Sequence, residues 1–351
     1  MIHLIYASTV NVGGWATFTR HLHDTLLARG HAVQIWKVGN NTEGKQRPWG
    51  PDHTYRNLAP CDFHKELGNP RDFIVIAVIG KDFKPEAETL IKMGGGVVIH
   101  DTTEHSTRMG VDYPWVIRRA LLGVGNSRKG VFIRHPYIRA PRSGVAHIRK
   151  GAVAPSRIDF DKNLAMMLDA NRMGANIDII GFENRLYTRN KIVPLYPEWV
   201  QSHTLRTYPR TGALGIDRLR RARFMVDLTD IRDDGGGTQY TFLEGWDAGA
   251  VPVVGEWWIR PKDDMIPGVN CIAVGTAQSL LKAVRSFKSG PTLGNMVAGG
   301  HRQLIKHDPR VLEPAIMEWL ETVKEKALGP ATSIRRTTRL YPRTGERAAK
   351  A

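Results

Sequence analysis

The 351-residue chain is long enough for two or three domains, and its 42% apolar and 24% charged residues sit near the soluble globular average, which excludes a single small domain, a collagen-like chain and long-range disorder. With no run of 18 uncharged apolar residues and no charged, apolar and small-residue leader, the expectation is a soluble cytoplasmic protein. The net charge of +16, shared between residues 1–144 (+7) and the remainder (+9), predicts a surface that seeks polyanions and leaves nucleic acid, an anionic membrane face and a nucleotide-linked substrate open.

In chain order, HLIYAS (3–8) reads as a buried strand, and NVGG breaks it before a helix with Trp15, Phe18, Leu22 and Leu26 on one face. Arg29-Gly30-His31 closes that helix, glycine standing at the natural C-terminal stop. Val33 to Val38 is the next strand, FIVIAVI (73–79) a strand buried on both faces, PEAETLIKM (85–93) a helix ended by Gly94, and VVIH (97–100) another strand. The run 135–156, rich in proline, glycine and basic residues, suits a crossover between domains. A second alternating series follows: helix 162–173, strand 176–180, helix 216–222, strand 224–229, helix 238–249, strand 251–254, then CIAV and TAQSLLKAVRSF as one more pair. From Ile334 onward the chain is basic, poor in apolar residues and expected to be loosely held, and YPRTG at 208–212 and 341–345 reads as two similar basic turns. The alternation predicts an α/β protein of two Rossmann-like domains, 1–143 and 144–330, with a basic tail 331–351, the carboxyl ends of both sheets meeting at one cleft. Cys61 and Cys271 are too few for a disulfide framework or zinc cluster and are expected as buried free thiols.

The most specific signal is RFMVDLT, then DIRDDGGG, then TQYTFLEGWDAGAVPVVG. It resembles the signature region of GT-B glycosyltransferases of the glycogen-synthase-like, nucleotide-sugar-dependent group, the match running through Leu243-Glu244-Gly245 and Gly249 to Val254. The resemblance implies a helix dipole facing the donor's diphosphate and a Glu244 carboxylate accepting hydrogen bonds from the ribose hydroxyls. Gly13-Gly14, with Arg29-Gly30-His31-x-Val33, is similar to the family's opening loop and turn, and Arg157 and Lys162 in SRIDFDKN to the cation pair that offsets charge on the leaving diphosphate. The helix around Pro309 to Lys326 is expected, on the same resemblance, to pack against the first domain. Where the family commonly has a second glutamate, eight positions before the one matched by Glu244, this chain has Gly236. Asp233 or Asp234 could do part of its work by a shift of register; alternatively Gly235, Gly236 and Gly237, leading into Thr238, could bring backbone amides close to the sugar or phosphates. Both readings stay open, as does retaining versus inverting stereochemistry.

In VVIHDTTEHS, His100 and Asp101 fall at a strand's carboxyl end, with Glu104 and His105 a turn later. The resemblance places His100 beside the transferred sugar, and Asp101 or Glu104 could orient or deprotonate an acceptor hydroxyl; loop histidines that merely hydrogen-bond are the plain alternative. H-x4-H lacks the spacing of a helical zinc pair, so no metal and no cofactor is expected, the nucleotide sugar being a co-substrate. The stretch 118–142 holds seven cations (Arg118, Arg119, Arg128, Lys129, Arg134, Arg139 and Arg142) and no Asp or Glu, interleaved with Phe132 and Tyr137, a composition suited to a phosphate backbone. These features together point to a hexosyl- or pentosyltransferase similar to the phage enzymes that glycosylate 5-hydroxymethylated pyrimidines such as hydroxymethylcytosine in duplex DNA, acting in the host cytoplasm on a base flipped into the cleft. Two alternatives stand beside it: a peripheral membrane glycosyltransferase for a lipid-linked or cell-surface glycan, using YPWVIRRALL (113–122), and a non-catalytic nucleic-acid-binding protein on the same fold.

Overall fold

The computed structural model describes residues 1–10, 13–39, 46–49, 52–100, 111–123, 129–141, 149–199, 213–231, 236–261, 263–286 and 291–328. Two sheets organise them. The first contains β1 (Ile2–Ala7), β2 (Val33–Val38), β3 (Gln46–Pro48), β4 (Thr54–Leu58), β5 (Phe73–Ile79), β6 (Gly96–Ile99), β7 (Trp115–Val116) and β8 (Val131–Phe132), in the order β3-β4-β2-β1-β5-β6-β7-β8. Every pairing is parallel except β3 with β4. The second contains β9 (Ala152–Pro155), β10 (Ile177–Ile180), β11 (Phe224–Asp227), β12 (Val251–Gly255) and β13 (Ile272–Val274), all parallel, in the order β10-β9-β11-β12-β13.

The central strands are continuous apolar runs because helices cover both of their faces. β1 is buried at every position, and β5 at every position after Phe73. Around the sheets lie α1 (Gly14–Leu27), α2 (Lys84–Lys92), α3 (Leu164–Arg172), α4 (Ala213–Arg221), α5 (Tyr240–Ala248), α6 (Ala277–Ser286), α7 (Pro291–Ile305) and α8 (Pro309–Leu328). As expected, α8 returns to the first sheet: Trp319 donates its indole N–H to the Tyr113 carbonyl at 2.8 Å and meets Trp115 edge-on at 5.4 Å. It lies so close over β6 that a Cβ on Gly96 would come within 2.6 Å of its ring.

Three expectations need correction. The stretch 135–156, read as a crossover, contains β9, a central strand of the second sheet; Ala-Val-Ala-Pro is too short and too small to show a period. α7 was not anticipated. Cys271 is buried as expected, but Cys61 is exposed, because it sits in a surface turn of 3-10 helix (Pro60–Asp62). Both copies of YPRTG and the tail from Ile334 lie outside the described residues. Among the described residues, no helix is long and apolar enough to cross a membrane.

Candidate functional site

In a parallel sheet the loops after the strands share one edge, and α5 begins at that edge of the second sheet. Gly236 and Gly237, leading into it, have φ of 97° and 74°, the left-handed region. Their packing allows no side chain: a Cβ on Gly236 would lie 2.3 Å from Asp263 Oδ2, and one on Gly237 would lie 2.9 Å from Arg118 Cγ. The Gly237 amide donates to Asp263 Oδ2 (3.0 Å), and its carbonyl accepts from the Trp258 indole (2.9 Å). Gly237 is thus shaped by the protein's own packing, and its amide is already engaged. Burial, with Asp264 beside it, raises the Asp263 carboxyl above the ordinary range, against the pull of the Gly237 amide. Thr238 is buried at the foot of the helix, and Glu244 is buried on its second turn. Gly245, next in line, lets the helix lie against Met225 of β11, and Gly249 closes it in the left-handed conformation. Asp234 and Gly235, like Asp233, lie outside the described residues.

Lys162 and Arg157 stand on the loop after β9, on the same edge. Buried Asp227, at the end of β11, draws together Lys162 (Nζ to Oδ1, 3.4 Å), the Thr229 amide (3.1 Å) and the Thr241 hydroxyl of α5 (2.7 Å). Lys162 also donates to the Thr229 hydroxyl. Its ammonium is therefore fixed next to the first turn of α5. Arg157 is half exposed and pairs with Asp161 (2.8 Å) and Asp159 (3.6 Å). The structure brings Lys162 to the start of α5, and both cations are members of carboxylate networks.

On the first sheet, Gly13 has φ 96° ahead of α1, and neither Gly13 nor Gly14 would meet an atom within 4 Å if given a Cβ, so open space lies before this helix. His100, at the end of β6, is 6% exposed; its Nε2 donates to the Ala77 carbonyl at 2.7 Å, and its ring meets Phe18 edge-on. The imidazole thus folds back into the sheet, closer to the plain reading of this histidine than to the one carried by the resemblance. Asp101, Glu104 and His105 lie outside the described residues.

The basic stretch divides. Arg118 is buried: Nε and Nη2 donate to the His100 carbonyl at 3.0 and 2.6 Å, and the guanidinium lies 5.7 Å from the Trp258 ring. It links the end of β6 to the glycine turn before α5. Arg134 makes a bidentate pair with Asp264 (2.8 and 3.2 Å), which also receives Lys306 (3.3 Å). Arg119 is exposed over Phe132, Lys129 makes a surface pair with Asp112, and Arg139 is exposed; Arg128 and Arg142 lie outside the described residues.

Two groups were not read from the sequence. One is the contact between the sheets' helices and the connecting strand. His21 of α1 stacks on Tyr240 of α5 (4.9 Å, 5° between planes) and accepts the Ile138 amide on Nδ1, while Tyr240 donates to the Pro136 carbonyl. Asp247 accepts from the Tyr137 hydroxyl and the Ala140 amide, and His307 Nδ1 donates to the His135 carbonyl at 2.7 Å. Burial lowers His21 to about 3 and His307 to about 4, and pushes the Tyr137 and Tyr240 phenols well up. The other is a rim on the loops after β9 and β10, joined by the Ile158–Glu183 bridge. There Phe160, Phe182 and Leu186 are 73%, 61% and 74% exposed, beside exposed Arg185, Arg189 and Lys191. The net charge of the chain does not single out this rim, and no pattern in the sequence marks its exposed aromatics.

No protein-family model and no curated protein matches the chain. Among solved structures it is similar to an alpha-glucosyltransferase in complex with UDP-glucose and DNA containing an abasic site, with a TM-score of 0.65 at 13% identity over 91% of this chain and 98% of that one. It is similar to a glycosyltransferase from Rickettsia africae (TM-score 0.63, 11% identity, 94% and 98% covered). HepE from Anabaena, in complex with UDP and glucose, gives 0.65 at 10% identity, with 92% and 99% covered. The two parallel sheets, the edge shared by Glu244, Lys162 and the glycine turn, and near-complete coverage of these enzymes lead to one structural conclusion: the chain has the GT-B fold.

Proposed function

We propose that the chain is a glycosyltransferase that moves a sugar from a nucleotide-sugar donor to a hydroxymethylated pyrimidine in duplex DNA, in the cytoplasm. The observation that carries this reading is the carboxyl edge of the second sheet, which holds both the helix with buried Glu244 and, on the loops after β9 and β10, a rim of exposed cations and apolar side chains. Glu244 would hold the ribose, with the diphosphate at the start of α5. The acceptor oxygen forms its bond to the anomeric carbon as the bond from that carbon to the phosphate oxygen breaks, the electron pair leaving on the diphosphate. Arg157, Lys162 and the α5 amides offset the charge that develops there, so this transfer draws its positive charge from the protein itself. Asp101 and Glu104 are the candidates to take the acceptor's proton.

Support for the DNA acceptor comes from the rim, since cations interleaved with exposed aromatics suit a phosphate backbone and unstacked bases. A further structure of the alpha-glucosyltransferase of similar fold contains UDP and a 13-mer DNA with an HMU base. Arg185 and Arg189 stand one turn apart, and neither pairs with a carboxylate of the described residues. If they contact phosphates, Arg185→Ala with Arg189→Ala weakens binding of duplexes of any sequence and lowers the salt slope by about two units, while nucleotide-sugar affinity stays unchanged. An unaltered slope would remove the rim from the DNA site.

A further inference from the structure

Where α1 meets the β3–β4 hairpin of the first sheet, three side chains come to one point. His23 and Asp24 lie on α1, and His53 immediately precedes β4. His23 Nδ1 is 2.9 Å from Asp24 Oδ1, and His53 Nε2 is 2.9 and 3.0 Å from the two oxygens of Asp24. One ligand atom from each residue falls within 4.8 Å of the others. The imidazoles are 20% and 10% exposed and the carboxylate 35%, so the point is sheltered by protein on one side and open to water on the other.

We propose that His23, Asp24 and His53 form a binding site for a zinc-class divalent ion, with water completing the coordination. Two imidazole nitrogens and one carboxylate are the donor set this ion class prefers. Bond lengths of about 2.0–2.2 Å put neighbouring ligand atoms roughly 3.3 Å apart in a tetrahedron, so the two histidine–aspartate pairs need to open by only a few tenths of an ångström, and the two imidazoles, within 4.8 Å of each other, need to close in on the ion. The nearest cation on the same helix, Arg20, is turned away: its Nε donates to the Ala16 carbonyl and its guanidinium lies over Trp49. The ion would fasten the hairpin to α1 and takes no part in the proposed sugar transfer. No helical or paired-cysteine spacing announces the site, because His53 is 29 residues from Asp24 and only the fold joins them.

The test uses the tag-free full chain, freed of metal, with Zn2+ and Co2+ as probes. Equilibrium dialysis should show one equivalent of Zn2+ per chain, and Co2+ should give a visible absorption band that Zn2+ abolishes. His53→Ala and Asp24→Asn should each weaken binding by more than the roughly 10–100-fold that loss of an outer-shell partner costs. Zn2+ should raise the melting temperature of the wild-type chain and not of His53→Ala, a comparison that reports binding even if the variant is less stable. No bound equivalent, or binding undiminished in both variants, would show that the three residues are a hydrogen-bonded clamp only. Neither result touches the glycosyltransferase reading, which rests on a different edge of the fold.

Discussion

Glu244 and Arg118 show what a single residue discloses in the sequence and what it does not. The helix that carries Glu244 was legible because its neighbours in the chain are also its neighbours in space: the helix, its closing Gly249 and the strand that follows form one continuous motif. Arg118 was not, since its partners are the carbonyl of His100 and the ring of Trp258, 18 and 140 residues away, and its charge made it look like part of a surface strip. A cation in such a place serves the fold, tying the end of β6 to the turn before α5. For Glu244 the expected outcome follows from losing a charged hydrogen bond to a ribose: Glu244→Ala lowers nucleotide affinity by about 1–3 kcal/mol, with the fold intact. Calorimetry with UDP and other nucleoside diphosphates checks it, and unchanged affinity would remove Glu244 from the donor site.

Among elements, those buried on two faces announced themselves. The strands over 2–7 and 73–79 lie where the apolar runs put them, and α1 where its apolar face recurs. Elements that answer to a neighbour stayed hidden. α7 carries Gly294, Gly299 and Gly300, a composition that argues against a helix, yet two of these glycines are required by packing: a Cβ on Gly299 would lie 2.0 Å from the Val269 carbonyl, and one on Gly300 would lie 2.2 Å from the ring of Trp246. Both have helical φ, so contact rather than backbone freedom selects glycine here. Gly300→Ala poses the two effects against each other. Helix propensity favours alanine by about 1 kcal/mol, whereas overpacking a rigid buried indole costs about 1–3 kcal/mol. We expect net destabilisation in urea unfolding, and a gain in stability would show that Trp246 gives way. The rim after β9 and β10 escaped for a related reason, since isolated Phe160, Phe182 and Leu186 carry no period and only the fold shows them outside.

At the scale of the whole molecule, the two halves meet through neutral, buried histidines. His307 falls to about 4 and His21 to about 3 in the folded state, from an ordinary value of 6.5, in each case chiefly by burial. Above pH 6.5 both states hold these rings neutral and nothing is lost. As pH falls below 6.5 the unfolded chain takes up protons that the folded chain refuses, so stability declines, by about 1.4 kcal/mol per unit for each ring, down to the folded value. For His307 that amounts to about 3 kcal/mol between pH 6.5 and 4. Carboxylates held low, such as Asp24 and Asp264, add their own loss mainly below pH 4. Urea midpoints should therefore fall between pH 7.5 and 5, and His307→Asn, which keeps a donor for the His135 carbonyl, should flatten the fall. A profile that is level or rising towards pH 5 would contradict a neutral buried interface.

What the molecule does with its cleft is decided by its product. Duplex DNA containing 5-hydroxymethylpyrimidines, incubated with the protein and a panel of nucleotide sugars, would be digested to nucleosides and weighed by mass spectrometry. The account predicts a new nucleoside heavier by one sugar residue, formed with at least one donor, still formed in the presence of a chelator, and reduced with Glu244→Ala at limiting donor. Unmodified DNA under every donor, alongside sugar transfer to a lipid-linked acceptor, would contradict it.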